Sequence, residues 1–315
     1  MIDQYGRNIN YMRLSVTDLC NLRCIYCMPQ DGIEKLRHAD ILSVEEIDAI
    51  VRAAASLGIR KIRLTGGEPL VRRGIETIVR NAAATPGIEE VCLTTNGILL
   101  ADRAAELKAA GVDRVNISID SLDAVAYAQI TRGGKVEDAL AGIRAALEAG
   151  FAPIKVNAVL IGGVNDREIG SLVALTEKED IHLRFIEIMP IGECAGWNNA
   201  RFIGADAVLA AEPSLVPAGT DGVSRLFRKP GHVGTVGLIS PISNHFCPGC
   251  NKIRVTSDGK LKPCLHSGEE IALRGLAGDA LQEALSSGMF GKPLKHTLEG
   301  GGISNSERNM NAIGG

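Results

Sequence analysis

Short β-rich runs alternate with Ala-rich helical patterns through the first 189 residues of this 315-residue chain, and this alternation constrains its fold most strongly. Strands that alternate with helices form a parallel sheet with right-handed crossover connections. The helical patterns carry recognisable boundary signals, such as a capping box at Ser43 and Glu46 and a glycine at Gly58. Of the six β-rich runs, the first contains Leu14 and the next three end at Thr65, Asn96 and Asp120. The fifth run begins at Ile154, and the sixth ends at Met189.

Six β/α units are two short of a closed eight-stranded barrel, so the pattern predicts an α/β fold with an incomplete, six-unit TIM-type β/α barrel. A doubly wound open sheet is the alternative, and the order of elements along the chain does not separate the two. Beyond Met189, Gly and Pro become frequent and the regular rhythm fades. We therefore expect a partial barrel over residues 1–189 and a smaller C-terminal region over residues 190–315 that closes its open side.

The composition narrows the possible functions. The chain is 45% apolar and 23% charged, which excludes a disordered, collagen-like or coiled-coil protein. Its 34 Lys and Arg against 37 Asp and Glu give a net charge of −3, which does not favour a general binder of nucleic acids or membrane surfaces. No apolar run is long enough to span a membrane, and the first residues do not resemble a signal peptide, so we expect a cytoplasmic location.

Three cysteines in the loop after the first strand form a C-x3-C-x2-C cluster: Cys20, Cys24 and Cys27. Cytoplasmic thiols stay reduced, so such a cluster indicates metal binding before it indicates disulfides. Three thiolates on a four-iron cluster would leave one iron without a protein ligand, and that iron is open for chemistry. A zinc site completed by a residue such as His38, or free thiols in a core, is the alternative.

A second set of three cysteines lies near the C-terminus: Cys247, Cys250 and Cys264. A predicted hairpin turn at Asp258 and Gly259 would bring the last two together. Structural zinc, with His245 or His266 as the fourth ligand, is an alternative reading of this spacing. The two remaining cysteines, Cys92 and Cys194, have no such partners, and Cys92 in its apolar strand is most simply a buried small hydrophobe.

Two segments carry a family resemblance. Residues 13–29, RLSVTDLCNLRCIYCMP, and residues 65–69, TGGEP, resemble the matching elements of radical S-adenosylmethionine (SAM) enzymes. The second cysteine set within CNKIRVTSDGKLKPC, the strand ends TTNG and SID, and the final two glycines resemble the GTP 3′,8-cyclase family of molybdenum cofactor biosynthesis. The resemblance extends from about Tyr11 to the last residue.

The resemblance implies two 4Fe-4S clusters, one on each cysteine set. The cluster on Cys20, Cys24 and Cys27 would bind SAM at its open iron and reduce it to give a 5′-deoxyadenosyl radical. The cluster on Cys247, Cys250 and Cys264 would leave its open iron for the guanine of GTP. The residues implied to contact SAM are Tyr26, Gly67, Ser118 and Met189, where Gly67 would let the backbone approach the methionine moiety.

The same resemblance implies a rim of side chains for the triphosphate of GTP: Arg13, Arg63, Thr94, Lys155, Lys252 and Arg254. Arg63 and Lys155 lie in otherwise apolar strands, where a lone charge would be costly. Lys252 departs from the family pattern C-x-R-x-R, and a lysine keeps the charge but loses the bidentate fork of arginine.

The implied catalytic residues are Arg184, Arg254 and the terminal Gly314 and Gly315, whose flexible, side-chain-free tail would reach into the active site. The alternative for Arg184 is a salt bridge with Glu187 or with another acid at a strand end.

The implied activity is the conversion of GTP to (8S)-3′,8-cyclo-7,8-dihydroguanosine 5′-triphosphate, the first step of molybdenum cofactor biosynthesis. The implied partners are a downstream cyclic pyranopterin monophosphate synthase and an external electron donor, and a homodimer is plausible. One alternative is a radical SAM enzyme that modifies peptides with an auxiliary cluster. Another is a zinc-stabilised or electron-transfer protein with no substrate of its own, which would have no use for the GGEP element.

Overall fold

The computed structural model of the chain describes residues 1–34, 36–296, 298 and 304–314. Its first six strands are β1 (Tyr11–Ser15), β2 (Lys61–Thr65), β3 (Glu90–Thr95), β4 (Arg114–Ser118), β5 (Ile154–Leu160) and β6 (Ile181–Glu187). The helices among them are α1 (Val44–Ser56), α2 (Ile75–Ala84), α3 (Ala104–Ala110), α4 (Ala124–Thr131), α5 (Val136–Glu148) and α6 (Ile169–Ala174).

The C-terminal part of the chain contains a further set of elements: α7 (Asp206–Ala211), β7 (Val216–Asp221), β8 (Ser224–Arg228), β9 (Thr235–Ile239), β10 (Lys252–Val255), β11 (Lys260–Lys262), β12 (Ile271–Ala272), α8 (Gly278–Phe290) and α9 (Met310–Ile313). In the described part of the chain, no helix is long and apolar enough to cross a membrane.

Strands β1 to β6 lie side by side in chain order and are all parallel. A doubly wound sheet reverses its strand order at a switch point, and this sheet has no such reversal among its first six strands. The order therefore favours the open barrel over the doubly wound alternative. The capping box predicted at the start of α1 is present, since the Ser43 hydroxyl accepts from the Glu46 amide at 3.1 Å and the Glu46 carboxylate accepts from the Ser43 amide at 2.8 Å.

The C-terminal elements extend this sheet at both edges. Strand β9 pairs parallel with β6 and is followed outward by antiparallel β8 and β7. Strand β10 pairs parallel with β1 and is followed by antiparallel β11 and β12, so the predicted hairpin around Asp258 and Gly259 is present. One twelve-stranded sheet thus runs through both predicted regions, and the boundary at residue 189 stays a prediction.

The two faces of the sheet differ in chemistry because side chains alternate along each strand. One face packs apolar residues such as Met12, Leu64 and Phe185 against the helices in the main hydrophobic core. The residues between them face the barrel interior, and they are largely polar or charged. In register across β10, β1 and β2, the interior row reads Arg254, Arg13 and Arg63.

Replacing Gly142 of α5 by alanine tests how closely this helix packs on the sheet. A Cβ there would lie 2.3 Å from the carbonyl oxygen of Gly97, which follows β3. We expect Gly142→Ala to lower the free energy of unfolding by roughly 1–3 kcal/mol through overpacking, despite the gain of about 1 kcal/mol in helix propensity.

Gly170→Ala in α6 is the matched control, because its Cβ would meet only the flexible end of Glu212, at 3.0 Å. That variant should be neutral or more stable than the parent in chemical denaturation. Equal unfolding midpoints for the two variants would contradict the packing argument.

Candidate active site

The first cysteine set lies at the carboxyl end of the sheet, in the loop that follows β1. The three thiols are close enough to affect one another's charge: burial and the neighbouring Cys20 both raise the pKa of Cys27, to about 12. Burial, Asp120 and the other two thiols likewise raise the pKa of Cys24. Thiolates in such surroundings require a nearby positive centre, which a bound metal cluster would provide.

Three cysteine thiolates are a donor set that suits a 4Fe-4S cluster. Within the described residues, no three His, Cys, Asp or Glu side chains converge closely enough to hold one metal ion. The thiolates of a four-iron cluster bind different irons, so they lie further apart than the ligands of one zinc ion.

The GGEP element braces the first cysteine loop. The Gly67 amide donates to the Thr17 carbonyl at 2.8 Å, and the Glu68 amide donates to the Leu19 carbonyl at 2.8 Å. A Cβ at Gly67 would lie 2.4 Å from the Leu19 carbonyl oxygen, so the loop backbone by itself demands glycine here. The sequence analysis gave another reason for glycine at this position, namely a close approach of the backbone to the methionine moiety of SAM, and that reason stays a prediction.

The buried Glu68 carboxylate ties this element to the end of β3. It accepts from the Leu70 amide at 3.0 Å, the Thr95 hydroxyl at 2.8 Å and the Asn96 amide at 2.7 Å. Burial outweighs these bonds and raises the pKa of Glu68 to about 7. The sequence identified Glu68 only as part of the GGEP element. That its carboxylate holds this element against the end of β3 follows from contacts between separate strands.

The four residues predicted to contact SAM all lie on the same rim of the sheet. Gly67 follows β2, Ser118 ends β4, and Met189 follows β6. Tyr26 lies between the last two cysteines of the first set, and its hydroxyl donates to the Asp120 carboxylate at 2.7 Å. Sequence reasoning did not single out Asp120, although it follows β4 as a polar residue at a strand end. Burial raises its pKa to about 6.

The second cysteine set lies at the opposite end of the interior. Cys247 and Cys250 precede β10, and Cys264 follows β11. Because β10 runs parallel to β1, residues before β10 lie at the amino end of the sheet, whereas Cys20 after β1 lies at the carboxyl end. The two sets therefore face each other along one polar interior.

The surroundings of the second set are positively charged. Burial alone would raise the pKa of the Cys250 thiol, but Lys292 and Lys252 lower it below its ordinary value. The zinc ligands considered from the sequence are engaged differently: the His266 ring bonds the Ser304 hydroxyl at 3.1 Å, and His245 packs edge-on against the His296 ring at 5.8 Å between centroids.

Tyr11 organises the cations between the two cysteine sets. Its hydroxyl accepts from the Arg63 Nε and also bonds Arg13. The Lys252 ammonium lies 5.5 Å from the centre of its ring. Three of the predicted substrate residues thus contact one tyrosine that the sequence did not single out. Arg63 further donates to the Leu93 carbonyl at 3.2 Å and to the Thr94 hydroxyl at 3.4 Å, which adds a fourth predicted substrate residue to the group.

Lys155 and Arg184 lie on β5 and β6 and share one acid. The Lys155 ammonium is 2.6 Å from the Asp221 carboxylate, and Arg184 donates to the same oxygen. Arg184 therefore forms the salt bridge that was the alternative to a catalytic role. Its partner is Asp221, the last residue of β7, and not Glu187. Glu187 instead accepts from the backbone amides of Ala205 and Ser243, both at 3.0 Å.

The C-terminal tail lies inside the barrel mouth. The Gly314 carbonyl accepts from Arg254, and a Cβ at Gly314, whose φ is +80°, would lie 2.2 Å from the Thr65 hydroxyl at the end of β2. The Asn311 side chain donates to the Asp18 carbonyl at 3.3 Å, beside the first cysteine loop. Gly315 lies outside the described residues.

The two remaining cysteines are buried. The Cys92 thiol faces the polar interior, in register with Arg63, and donates to Glu90 at 3.4 Å, so its surroundings are more polar than those of a simple hydrophobe. Cys194 donates to the Tyr26 carbonyl at 3.3 Å, beside the first cysteine loop.

Comparison with known proteins adds independent findings. Residues 14–176 match the model of the radical SAM superfamily, and residues 181–298 match that of the molybdenum cofactor synthesis C family. The chain is 52% identical over 320 residues to a GTP 3′,8-cyclase of Alkaliphilus metalliredigens, and 49% identical over 320 residues to one of Alkaliphilus oremlandii. Both alignments cover all of this chain and all of the relative.

Solved structures match the fold. Streptococcus suis SuiB bound to S-adenosylmethionine matches with a TM-score of 0.63 and 15% identity, over 91% of this chain and 67% of that one. Methylornithine synthase (PylB) matches with a TM-score of 0.51 and 15% identity, over 65% of this chain and 62% of that one. At such low identity the likeness concerns the fold alone, and it confirms the predicted α/β partial barrel.

Arg308 anchors the tail. Its guanidinium binds Glu270 at 2.6 and 2.7 Å and Asp258 at 2.9 and 3.1 Å, which joins the tail to the β10–β11 hairpin. Charged hydrogen bonds contribute about 1.5–3 kcal/mol each, and about 1.4 kcal/mol is a factor of ten. We therefore expect Arg308→Gln to speed amide hydrogen exchange in Met310–Gly314 by at least about tenfold.

The control is Arg274→Gln, which removes a half-exposed arginine that lies 3.9 Å from Asp40 and 3.6 Å from Glu46. Such exposed pairs contribute little, so exchange in the tail should stay at the parent rate. Equal tail exchange in both variants would show that Arg308 does not hold the tail.

Proposed function

The chain belongs to the radical SAM superfamily and, within it, to the GTP 3′,8-cyclases of molybdenum cofactor biosynthesis, and from this membership we propose which of its residues bind the clusters, SAM and GTP and which act in catalysis. It is an enzyme whose family implies a 4Fe-4S cluster, SAM and the substrate GTP. We propose that it joins C3′ of the ribose to C8 of the guanine, giving (8S)-3′,8-cyclo-7,8-dihydroguanosine 5′-triphosphate.

One observation carries this proposal: two cysteine sets flank a single interior that is lined with cations. A radical enzyme must keep its reactive species away from water and oxidants. The interior suits this need because side chains that line it, such as Arg63 and Lys155, are buried. GTP combines a highly charged triphosphate with a sugar and a base. Its binding site therefore needs cations for the triphosphate and a second point of attachment for the base. The interior offers cations between its ends and a second cysteine set at its amino end.

At the carboxyl end, the thiolates of Cys20, Cys24 and Cys27 would hold the first cluster. When bound, this cluster and SAM would supply radical chemistry for abstraction of a hydrogen atom from the substrate. The residues of this rim would bind and orient SAM: Tyr26, Gly67, Ser118 and Met189. The Asp120 carboxylate fixes Tyr26, and the Glu68 carboxylate fixes the loop that carries Gly67.

At the amino end, Cys247, Cys250 and Cys264 would hold a second 4Fe-4S cluster and leave one iron for the guanine. Lys292 and Lys252 favour the thiolate form of Cys250, which is the form that binds iron. No histidine is required in this ligand set.

The triphosphate would bind the interior residues Arg13, Arg63, Thr94, Lys155, Lys252 and Arg254. Tyr11 holds Arg63 and Arg13 toward the interior, and arginine forks suit phosphate oxygens. Lys252 would act as a point charge in place of the family arginine, which is consistent with its position over the Tyr11 ring.

Arg184, Arg254, Gly314 and Gly315 are the proposed catalytic residues. Arg254 links the tail to the interior through the Gly314 carbonyl, so a positive charge and the tail backbone meet at the site where the substrate would react. The tail also fills the barrel mouth, since Ile313 is fully buried, and this would exclude water during the reaction.

The proposed product would pass to a cyclic pyranopterin monophosphate synthase, and an external donor would supply the electrons that reduce the clusters. A homodimer and a cytoplasmic location stay predictions from the sequence. The alternative of peptide modification gains nothing from the similarity to SuiB, because that similarity concerns the fold alone.

An anaerobic assay of the iron-reconstituted protein with SAM and dithionite tests the substrate. We expect GTP to stimulate formation of 5′-deoxyadenosine strongly, and ATP or the absence of nucleotide not to do so. The cations alone would accept either triphosphate, so discrimination would have to come from the base. Equal stimulation by ATP, or cleavage of SAM that is independent of nucleotide, would contradict the proposed substrate.

Replacing Cys264 tests the second cluster. We expect Cys264→Ser to lose about half of the bound iron, because one of two equal clusters is lost, and to lose cyclisation of GTP while the first cluster still binds SAM. Cys92→Ser is the control, since this thiol belongs to neither set and a serine can keep the bond to Glu90. Full iron content in Cys264→Ser would overturn the assignment of these ligands.

A further inference from the structure

The interior contains an acid where the proposed function calls for cations. Asp221 places one carboxylate oxygen against both Lys155 and Arg184, so a single negative charge pairs with two of the proposed substrate and catalytic residues. The three side chains come from three strands: β5, β6 and β7. Strand β7 lies at the outer edge of the sheet, far from β5 in the chain, so only the fold brings Asp221 here.

Burial is unequal within this group. The Lys155 and Arg184 side chains are 6% and 12% exposed, whereas the Asp221 side chain is 37% exposed. Buried cations need a compensating charge, which explains why an acid is present. The acid is the most exposed member of the group, whereas the two cations are buried in the barrel wall.

Arg184 also has unused binding capacity. Its buried Nε has no hydrogen-bond partner among the described residues, although its Nη2 is engaged by Asp221. The neighbouring Asn157 Oδ1, in register with Arg184, is buried and unpartnered as well. These polar atoms indicate that Asp221 does not satisfy the site fully, and an anion with several oxygens could bond the Arg184 Nε.

We propose that Asp221 is the internal counter-anion of the triphosphate site, which pairs with Lys155 and Arg184 in the free enzyme and is displaced from them by the phosphate oxygens of GTP. This inference rests on the proposed function, because it takes Lys155 as a triphosphate ligand and Arg184 as a residue of the same site. The exchange makes no covalent bond; one anion replaces another. Asp221 is therefore a residue that sets affinity, and the substrate binds more weakly than the cations alone would allow.

The electrostatic character of the group supports this proposal. Although burial acts against it, the attraction of Lys155 and Arg184 lowers the pKa of Asp221 to about 2, so the acid is fully charged at neutral pH. A carboxylate that stayed beside a bound triphosphate would suffer like-charge repulsion. Removing this charge must then strengthen the binding of polyphosphates.

The experiment measures binding of inorganic tripolyphosphate and of GTP to the cluster-loaded full chain by titration calorimetry, together with KM and kcat for GTP. We expect Asp221→Asn to lower the Kd for tripolyphosphate and the KM for GTP by at least about fivefold, without raising kcat. Asp221→Glu keeps the charge and should stay close to the parent. Asp221→Ser serves as a second uncharged variant if the asparagine variant folds poorly.

Asp206→Asn is the matched control. Asp206 forms an ion pair with Arg225 at 2.8 Å, also in the C-terminal part of the chain, but its side chain is 76% exposed. Its removal should leave the affinity for tripolyphosphate unchanged, which separates a local exchange of counter-ions from a general effect of net charge.

The outcomes distinguish a failure of the counter-anion role of Asp221 from a failure of the proposed function. Weaker binding of tripolyphosphate in Asp221→Asn, with normal binding by the parent, would overturn the counter-anion role and leave the proposed function standing, since Asp221 would then merely hold the cations in place. Equal tightening in Asp206→Asn would also overturn it. Failure of the parent itself to bind GTP and tripolyphosphate would overturn both the proposed substrate site and this inference.

Discussion

Buried positive charge inside the barrel is the constraint on which the rest of this structure depends. Cations line the interior strands at positions where a soluble protein would ordinarily place apolar side chains, and each buried charge is costly without compensation. Three of these cations donate hydrogen bonds to chemically different acceptors: Arg63 to the Tyr11 hydroxyl, Lys155 to the Asp221 carboxylate, and Arg254 to the Gly314 carbonyl. Only one of these three groups carries a full negative charge. The interior is therefore prepared for an anionic guest, which a nucleoside triphosphate would be.

The C-terminal part of the chain completes this interior from both sides. It adds β10 beside β1 and β9 beside β6, so the parallel core is widened at each edge by strands that come late in the sequence. Strand β10 brings Arg254 and the second cysteine set, and β7 brings Asp221. The tail then crosses the barrel mouth, held by Arg308 against the β10–β11 hairpin. Without these elements the first six strands would form an open trough with cations exposed to water.

The direction of the strands decides how the two cysteine sets relate to each other. Parallel pairing of β1 and β10 puts the loop after one strand and the loop before the other at opposite ends of the same interior. An antiparallel β10 would have brought both sets to one end. The site of reaction in the proposed function is thus the space between the two cysteine sets. Gly67 and Glu68 keep the first of the two loops in place through their backbone amides and the Glu68 carboxylate.

The sequence by itself determined the α/β class, the hairpin at Asp258 and the two cysteine sets, because these depend on local periodicity, turn chemistry and close spacing. It left the partial barrel and the doubly wound sheet as alternatives, which the strand order of the structure then separated. Its family resemblance also identified cations that the fold gathers in one interior. Only the tertiary structure decided which end of the barrel each cysteine set occupies, that Asp221 and not Glu187 pairs with Arg184, and that Gly67 is demanded by the backbone beside Leu19. These features depend on strand order and register between segments far apart in the chain, and local patterns carry no information on such contacts.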